Sequence, residues 1–81
     1  KNYGQALESY SKYLLLQPDC DVCCSKRCQI HIQLENYEDA LMDIQNALEI
    51  RPKHPYYLAV RGLLYTKHMK LNKLGIFLLF L

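Results

Sequence analysis

The sequence repeats itself with a period of 34 residues. When residues 2–19 are aligned with residues 36–53, six of the 18 aligned positions are identical. The identical pairs are Asn2/Asn36, Tyr3/Tyr37, Ala6/Ala40, Leu7/Leu41, Leu14/Leu48 and Pro18/Pro52. A fixed period of this length is typical of proteins in which one small supersecondary unit stacks on the next. The sequence therefore predicts a stacked repeat architecture.

Both copies of the repeat have the apolar spacing of an amphipathic helix. Apolar residues recur at intervals of three and four positions, and polar residues occupy the other side. Each copy then ends at a proline, Pro18 or Pro52, and a proline disfavours helical geometry in the residue before it. The spacing predicts helices over residues 3–16 and 37–50.

The segment between the copies is predicted to form a helix over residues 22–34. Asp19 or Asp21 can cap it by accepting hydrogen bonds from the N–H groups of its first turn. Glu35 and Asn36 then form a tight turn, in which we expect Asn36 to take the left-handed conformation that asparagine tolerates.

The last helix is predicted to begin at Pro55, because the missing N–H of proline costs nothing in a first helical turn. It extends to about Met69 and contains Gly62, which destabilises a helix by about 1 kcal/mol relative to alanine. We expect this glycine to let a neighbouring helix approach. After Lys70 the chain is apolar on all sides, so it is either a helix buried by further sequence or an unrelated tail.

These helix pairs resemble tetratricopeptide repeats, whose second helix carries aromatic, small and apolar residues in a fixed pattern before a proline. The second copy matches that pattern at Tyr37, Ala40, Leu41, Ile44, Ala47, Leu48 and Pro52. The first copy matches it at Tyr3, Ala6, Leu7, Tyr10, Leu14 and Pro18, with Tyr13 in place of the second alanine. The first helices match less closely, although Arg27-Cys28 and Arg61-Gly62 resemble the Arg-Ala or Arg-Gly pair of co-chaperone-type repeats.

The resemblance implies an all-α fold: an α-solenoid of antiparallel helix pairs in a right-handed superhelix, with about two and a half repeats. Residues 1–20 would be the second helix of a truncated repeat, and residues 21–54 one complete repeat. Residues 55–81 would be the first helix of a further repeat with a degenerate apolar C-terminal segment. We therefore expect the chain to be part of a longer protein, and the isolated chain to be unstable or to self-associate.

The resemblance also implies a class of function. In tetratricopeptide repeats the first helix of each pair lines a concave groove that binds a peptide or a partner protein, and the module does no chemistry. The corresponding groove candidates are Val22, Lys26, Gln29, Gln33, Tyr56, Val60, Leu63 and Lys67. This mixed surface with two basic side chains suits an extended ligand that carries acidic and apolar side chains. The prediction is a non-enzymatic interaction scaffold of the cytoplasm or nucleus, without cofactor or metal.

Two narrower readings of the repeats stay open. One subset of the family, found in co-chaperones, binds a C-terminal carboxylate through a clamp that includes asparagines on the first helices. Lys26 and Val60 occupy the asparagine positions here, so neither helix supplies that residue. The repeats can instead be structural spacers within a larger enzyme or assembly, such as a ubiquitin ligase or a ciliary complex, and the groove would then bind nothing by itself.

Four cysteines fall within nine residues: Cys20, Cys23, Cys24 and Cys28. Disulfide scaffolds spread their cysteines to close loops, so this cluster on one predicted helix indicates reduced thiols. Cys23 and Cys24 point about 100° apart on a helix, which disfavours a four-thiolate zinc site. We expect Cys24 and Cys28 to fill core positions as small hydrophobes and Cys20 to be an exposed thiol. A metal- or redox-sensing module built on the cysteines is a third hypothesis.

Composition and motifs argue against several other classes of protein. The net charge is only +2 and the basic residues are spread along the chain, which argues against nucleic-acid binding. The apolar run over residues 76–81 is much shorter than the roughly 18–20 residues of a membrane span. His31, His54 and His68 have no identifiable orienting group or oxyanion donor, so we expect them to be structural rather than catalytic.

Overall fold

A computed structural model describes residues 2–79 of the chain, and the side chains of residues 2–68. Over this range the backbone forms four α-helices, which are α1 (Tyr3–Leu16), α2 (Asp21–Gln33), α3 (Tyr37–Ile50) and α4 (Pro55–Leu79). Helix α1 packs on α2, α2 on α3, and α3 on α4. The predicted all-α class is confirmed, and this packing of each helix on the next is consistent with a helical repeat.

The two copies of the sequence repeat form α1 and α3, with the bounds that the apolar spacing predicts. Their N-termini nevertheless differ. The Asn2 side chain accepts a hydrogen bond from the Gln5 N–H at 3.0 Å, whereas Asn36 makes no such side-chain cap. Identical residues in the two copies therefore do not make identical local contacts.

The prediction that an aspartate caps α2 is wrong. Cys20 is the N-cap residue, and its Sγ accepts a hydrogen bond from the Cys23 N–H at 3.3 Å. Asp21 is already the first helical residue, and its carboxylate accepts a hydrogen bond from the Tyr57 hydroxyl instead. The Asp21 carboxylate, which the sequence suggested as a cap, is therefore bound by Tyr57, a residue 36 positions later in the chain.

The turn between α2 and α3 also differs from its prediction, because Glu35 and not Asn36 has the positive φ, of 60°. The Asn36 N–H donates to the His31 carbonyl, and the Glu35 N–H donates to the Ile32 carbonyl. These two bonds close the C-terminus of α2 in a Schellman arrangement, which requires a left-handed residue directly after the C-cap residue Leu34. Asn36 is one position too late for that conformation.

Helix α4 is longer than predicted, since it continues ten residues past Met69 to Leu79. The side chains of residues 71–81 lie outside the described ones, so the choice between a helix buried by further sequence and an unrelated tail stays a prediction. The proposed reason for Gly62 is wrong: a Cβ built there would meet no atom of the described residues within 4 Å. The glycine faces outward, and its carbonyl accepts a hydrogen bond from the Thr66 hydroxyl at 3.1 Å.

The hydrophobic core lies where α2, α3 and α4 meet. Its buried members are Cys24, Cys28, Ala40, Ile44, Ala47, Leu48, Tyr57 and Leu64. Cys24 and Cys28 therefore fill core positions, as predicted. Helix α1 contributes only half-buried side chains such as Leu14 to this core. Burying an aliphatic side chain stabilises a fold by roughly 1.5–3 kcal/mol, so most of the hydrophobic stabilisation comes from α2 to α4.

Candidate functional site

A buried ion pair joins the first three helices. Arg27 of α2 donates from Nε and Nη2 to the two carboxylate oxygens of Asp43 on α3, at 2.8 and 2.7 Å. Its Nη1 donates to the Ser11 hydroxyl of α1 at 3.1 Å. The hydrogen bonds that Arg27 donates to Asp43 raise the pKa of Arg27 further above its ordinary value. The three hydrogen bonds that Arg27 donates all end on side chains of the fold, so the pair has a structural role.

Two histidines lie against these polar contacts. His31 Nε2 is 3.8 Å from an Asp43 carboxylate oxygen, and the His54 ring stacks on Tyr57 with 3.8 Å between ring centroids. The Nδ1 atoms of both histidines are buried without a hydrogen-bond partner among the described residues. Both rings therefore contact side chains of the fold, Asp43 in one case and Tyr57 in the other.

A second polar joint connects the start of α2 to α4. The Tyr57 hydroxyl donates to the Asp21 carboxylate at 2.7 Å, and Arg51 Nε lies 3.0 Å from the same carboxylate oxygen. The hydrogen bond from Tyr57, together with the charge of Arg51, lowers the pKa of Asp21. Burial, assisted by the Asp21 charge, raises the pKa of Tyr57 to about 12. This joint holds α2 and α4 together beside the core.

An open cleft of about 520 Å³ lies where α1, α2 and the start of α4 converge. Its lining side chains are Tyr3, Gln29, Ile30, Ile32, Gln33 and Tyr56. The Gln29 side-chain amide donates to the Tyr56 hydroxyl at 2.7 Å, which ties α2 to α4 at the cleft wall. This lining presents amide and phenol groups that can form hydrogen bonds, together with aliphatic surface.

Three of the predicted groove residues, Gln29, Gln33 and Tyr56, line this cleft together. Val22 and Lys26 are exposed on α2 outside its lining. Leu63 is likewise exposed, on α4.

The other two groove candidates contact the body of the fold. Val60 is partly buried and packs against the core. The Lys67 ammonium lies 5.5 Å from the centre of the Tyr37 ring on α3. A contact of this kind is a cation–π interaction, so the Lys67 ammonium already interacts with an aromatic ring of the fold.

Sequence reasoning missed the other half of the cleft, which is formed by Tyr3, Ile30 and Ile32. The repeat pattern assigns Tyr3 to an apolar packing stripe. Antiparallel packing of consecutive helices brings the start of α1 beside the end of α2, and this signal was available in the predicted topology. The Gln29–Tyr56 hydrogen bond had no sequence signal, since the two residues are 27 positions apart.

The four cysteines divide into two pairs. Cys24 and Cys28 are buried in the core, and burial raises the pKa of the Cys28 thiol to about 12. Cys20 is half-buried rather than exposed as predicted, and its Sγ lies 2.7 Å from the Sγ of Cys23. Among the described side chains, no three His, Cys, Asp or Glu residues converge as a metal site requires.

Comparisons with protein-family models, with curated proteins and with solved structures find no match for this chain. Within residues 2–79, no helix combines the length and the apolarity that a bilayer crossing requires.

Proposed function

We propose that this chain is a protein-interaction module that binds an extended segment of a partner protein in the cleft between α1, α2 and α4. The carrying observation is the cleft itself, in which three independently predicted groove residues meet: Gln29, Gln33 and Tyr56. Its volume of about 520 Å³ falls within the roughly 300–1,000 Å³ of typical ligand sites. Such a volume holds a few side chains of an extended peptide rather than a folded domain.

We further propose that the four helices form part of a tetratricopeptide-like solenoid. Two observations support this reading: the 34-residue period coincides with α1 and α3, and each helix packs on the next in the chain. In this arrangement α2 and α4 would be the first helices of successive repeats. Both contribute to the cleft wall through Gln29 and Tyr56, as the groove of such a module requires.

The polar groups of the cleft suit a peptide backbone. Tyr56 accepts a hydrogen bond from Gln29 and keeps its own hydroxyl hydrogen for a ligand carbonyl. Gln33 is exposed and offers both an amide donor and an amide acceptor. Ile30 and Ile32 add apolar surface, so the site fits a backbone hydrogen-bonding ligand with one apolar side chain.

The charge near the cleft favours an acidic neighbour on that ligand. Lys26 is exposed and lies three residues before Gln29, so both side chains lie on the same face of α2. An acidic side chain next to the apolar one would therefore meet the Lys26 ammonium, which pairs with no carboxylate among the side chains of residues 2–68. The reduced cysteines fit a partner in the cytosol or the nucleus.

The test compares peptide binding by two variants, one at Tyr56 in the cleft and a control at Tyr65 outside it. Extended peptides with adjacent acidic and apolar residues are screened against the chain, and the affinity of a binder is measured by fluorescence polarisation. Tyr56→Ala should weaken binding about tenfold or more, since an aromatic anchor of a binding site contributes above roughly 1.4 kcal/mol. Lys26→Glu should weaken binding only of acidic peptides.

The matched control is Tyr65→Ala. Tyr65 is also an exposed tyrosine of α4 and accepts a hydrogen bond from a glutamine, Gln45, but it is outside the cleft lining. Its replacement should change affinity less than twofold. Equal losses for Tyr56→Ala and Tyr65→Ala, or no loss for either, would contradict the proposed site.

A second candidate function is that of a spacer within a larger assembly. It is favoured by the end of α1, where Leu15 and Leu16 are 84% and 81% exposed and Tyr13 is half-exposed. Further protein packed on α1 would cover these side chains, and self-association of the isolated chain would cover them too. If the chain is a spacer, partners should be recovered only through neighbouring domains. If Leu15 and Leu16 cause self-association of the isolated chain, the double variant Leu15→Lys with Leu16→Lys should sediment as a monomer and leave the cleft unchanged.

A further inference from the structure

The first turn of α2 brings two thiols into contact. The Sγ atoms of Cys20 and Cys23 are 2.7 Å apart, only about 0.7 Å more than the 2.03–2.05 Å of a disulfide bond. Both cysteines are free and half-buried. The two thiols are therefore close enough to bond after a small side-chain adjustment, and the interaction module described above does not use them.

The contact follows from the unusual N-cap. Because the cap residue has extended rather than helical backbone angles, φ −88° and ψ 95°, the Cys20 side chain folds back over the first turn. There its Sγ accepts the hydrogen bond from the Cys23 N–H. The side chain of Cys23 is in the same turn, so the helix start itself holds the two sulfurs together.

The other two cysteines of the cluster are excluded from this chemistry. Cys24 is 3% exposed and Cys28 is fully buried in the core between α2, α3 and α4. A reagent in solution therefore reaches Cys20 and Cys23 but not the buried pair. Of the four cysteines, Cys20 and Cys23 are therefore the two that can react with a reagent in solution.

We propose that Cys20 and Cys23 form a reversible dithiol–disulfide pair that is oxidised by small-molecule disulfides such as glutathione disulfide. The Cys20 thiolate attacks one sulfur of the glutathione disulfide, that bond breaks, and one glutathione leaves as a thiol. Cys23 then loses its proton and attacks Cys20 Sγ, which forms the protein disulfide and releases the second glutathione. Because burial raises the pKa of Cys23 to about 11, this second step should be faster at alkaline pH. Two electrons pass to glutathione, and the two cysteine protons end on the two glutathione thiols.

The surroundings indicate what this oxidation changes. Asp21, between the two cysteines, accepts the Tyr57 hydrogen bond and pairs with Arg51, so the dithiol lies at the joint of α2 with α4. The disulfide would close a ring of only four residues, and short loops gain little chain-entropy stabilisation. Oxidation therefore modifies the start of α2 without a large change in the stability of the fold.

The test counts thiols on the whole 81-residue chain. The protein is equilibrated with mixtures of reduced and oxidised glutathione, quenched in acid, alkylated in denaturant, and weighed by mass spectrometry. Alkylated thiols should fall from four to two per molecule in one step, without bound glutathione, and return to four on reduction. Fragmentation of the wild-type protein should locate the bond between Cys20 and Cys23, which needs no variant to fold.

Variants give an independent readout. Cys20→Ser and Cys23→Ser should each stop at a mixed disulfide with glutathione, whereas the control Cys24→Ala should still form the internal bond. Four alkylated thiols at the oxidising limit would overturn the proposal. A bond that involves Cys24 or Cys28, or disulfides only between chains, would overturn it equally.

Discussion

Helices α1 and α3 carry the same residue pattern 34 positions apart, yet only α3 is buried. Ala40, Ile44 and Ala47 of α3 are fully inaccessible, whereas no residue of α1 is buried. Helix α3 packs against both α2 and α4, while α1 packs against α2. An apolar stripe thus prepares a helix for burial, but the number of neighbours decides how much of it is buried.

The same pair of helices also differs in polar chemistry. Asp43 of α3 accepts two hydrogen bonds from Arg27, and the matching position of α1 is the exposed Ser9. Helix α1 joins this ion pair only through the Ser11 hydroxyl, which accepts from Arg27. The comparison shows that α2 and α4 both pack on α3, whereas α1 is attached to the fold through α2.

The largest expected effect that tests this comparison is at the ion pair. Asp43→Ala leaves the Arg27 guanidinium, 23% exposed, without its carboxylate. Removing one partner of a buried pair costs about 3–5 kcal/mol, and because Arg27 retains some water we expect about 3 kcal/mol in the free energy of unfolding. Urea denaturation followed by circular dichroism measures it. Ser9→Ala, the matched change on α1, should alter stability by less than about 0.5 kcal/mol.

A smaller effect is expected for the leucine that the two copies share. Leu48 of α3 is 6% exposed, and its truncation in Leu48→Ala should cost about 2 kcal/mol, the low end for a core leucine, because the side chain keeps some contact with solvent. Leu14, its half-buried equivalent on α1, should cost about 1 kcal/mol when replaced by alanine, since fewer contacts are lost. The two midpoints in urea give the comparison directly. Similar losses at both positions would show that α1 is as well packed as α3.

The smallest effect concerns the hydrogen bond between Tyr57 and Asp21, which connects α4 to α2. Tyr57→Phe removes the hydrogen bond to the Asp21 carboxylate and should cost about 1 kcal/mol at neutral pH, since Arg51 still pairs with Asp21. The control is Tyr65→Phe, which removes an exposed hydrogen bond to Gln45 and should cost less than about 0.5 kcal/mol.

The pH dependence of stability checks the same hydrogen bond. The folded pKa of Asp21 is lowered, so its contribution is present above its ordinary value near 3.9 and is lost as pH falls through the lower folded value. Tyr57→Phe should therefore flatten the acid limb of the stability curve below about pH 4. An unchanged acid limb would mean that Asp21 does not depend on this hydroxyl.

Much of the local structure could be predicted from sequence alone. The spans of α1 and α3 follow from apolar spacing and a closing proline, and the core positions of Cys24 and Cys28 follow from the repeat alignment. The cap of α2 could not be predicted, because Asp21 is taken by Tyr57, a residue 36 positions away.

The residues that line the candidate cleft could be predicted only in part, because the cleft also depends on how different helices meet. Gln29 and Tyr56 follow from their positions on first helices of a repeat, but their mutual hydrogen bond depends on how α2 and α4 meet. Tyr3 enters the cleft only because α1 returns alongside α2. Residue type and helical face are local properties, whereas the convergence of three helices is not.

The sequence by itself determined the four helices and their apolar faces, because helical period, proline and turn residues act within a few positions of the chain. Only the tertiary structure decided which copy of the repeat is buried and which carboxylate meets Arg27. These outcomes depend on distances between side chains that come from different helices. Two stretches with the same apolar pattern, α1 and α3, therefore have different environments in one fold.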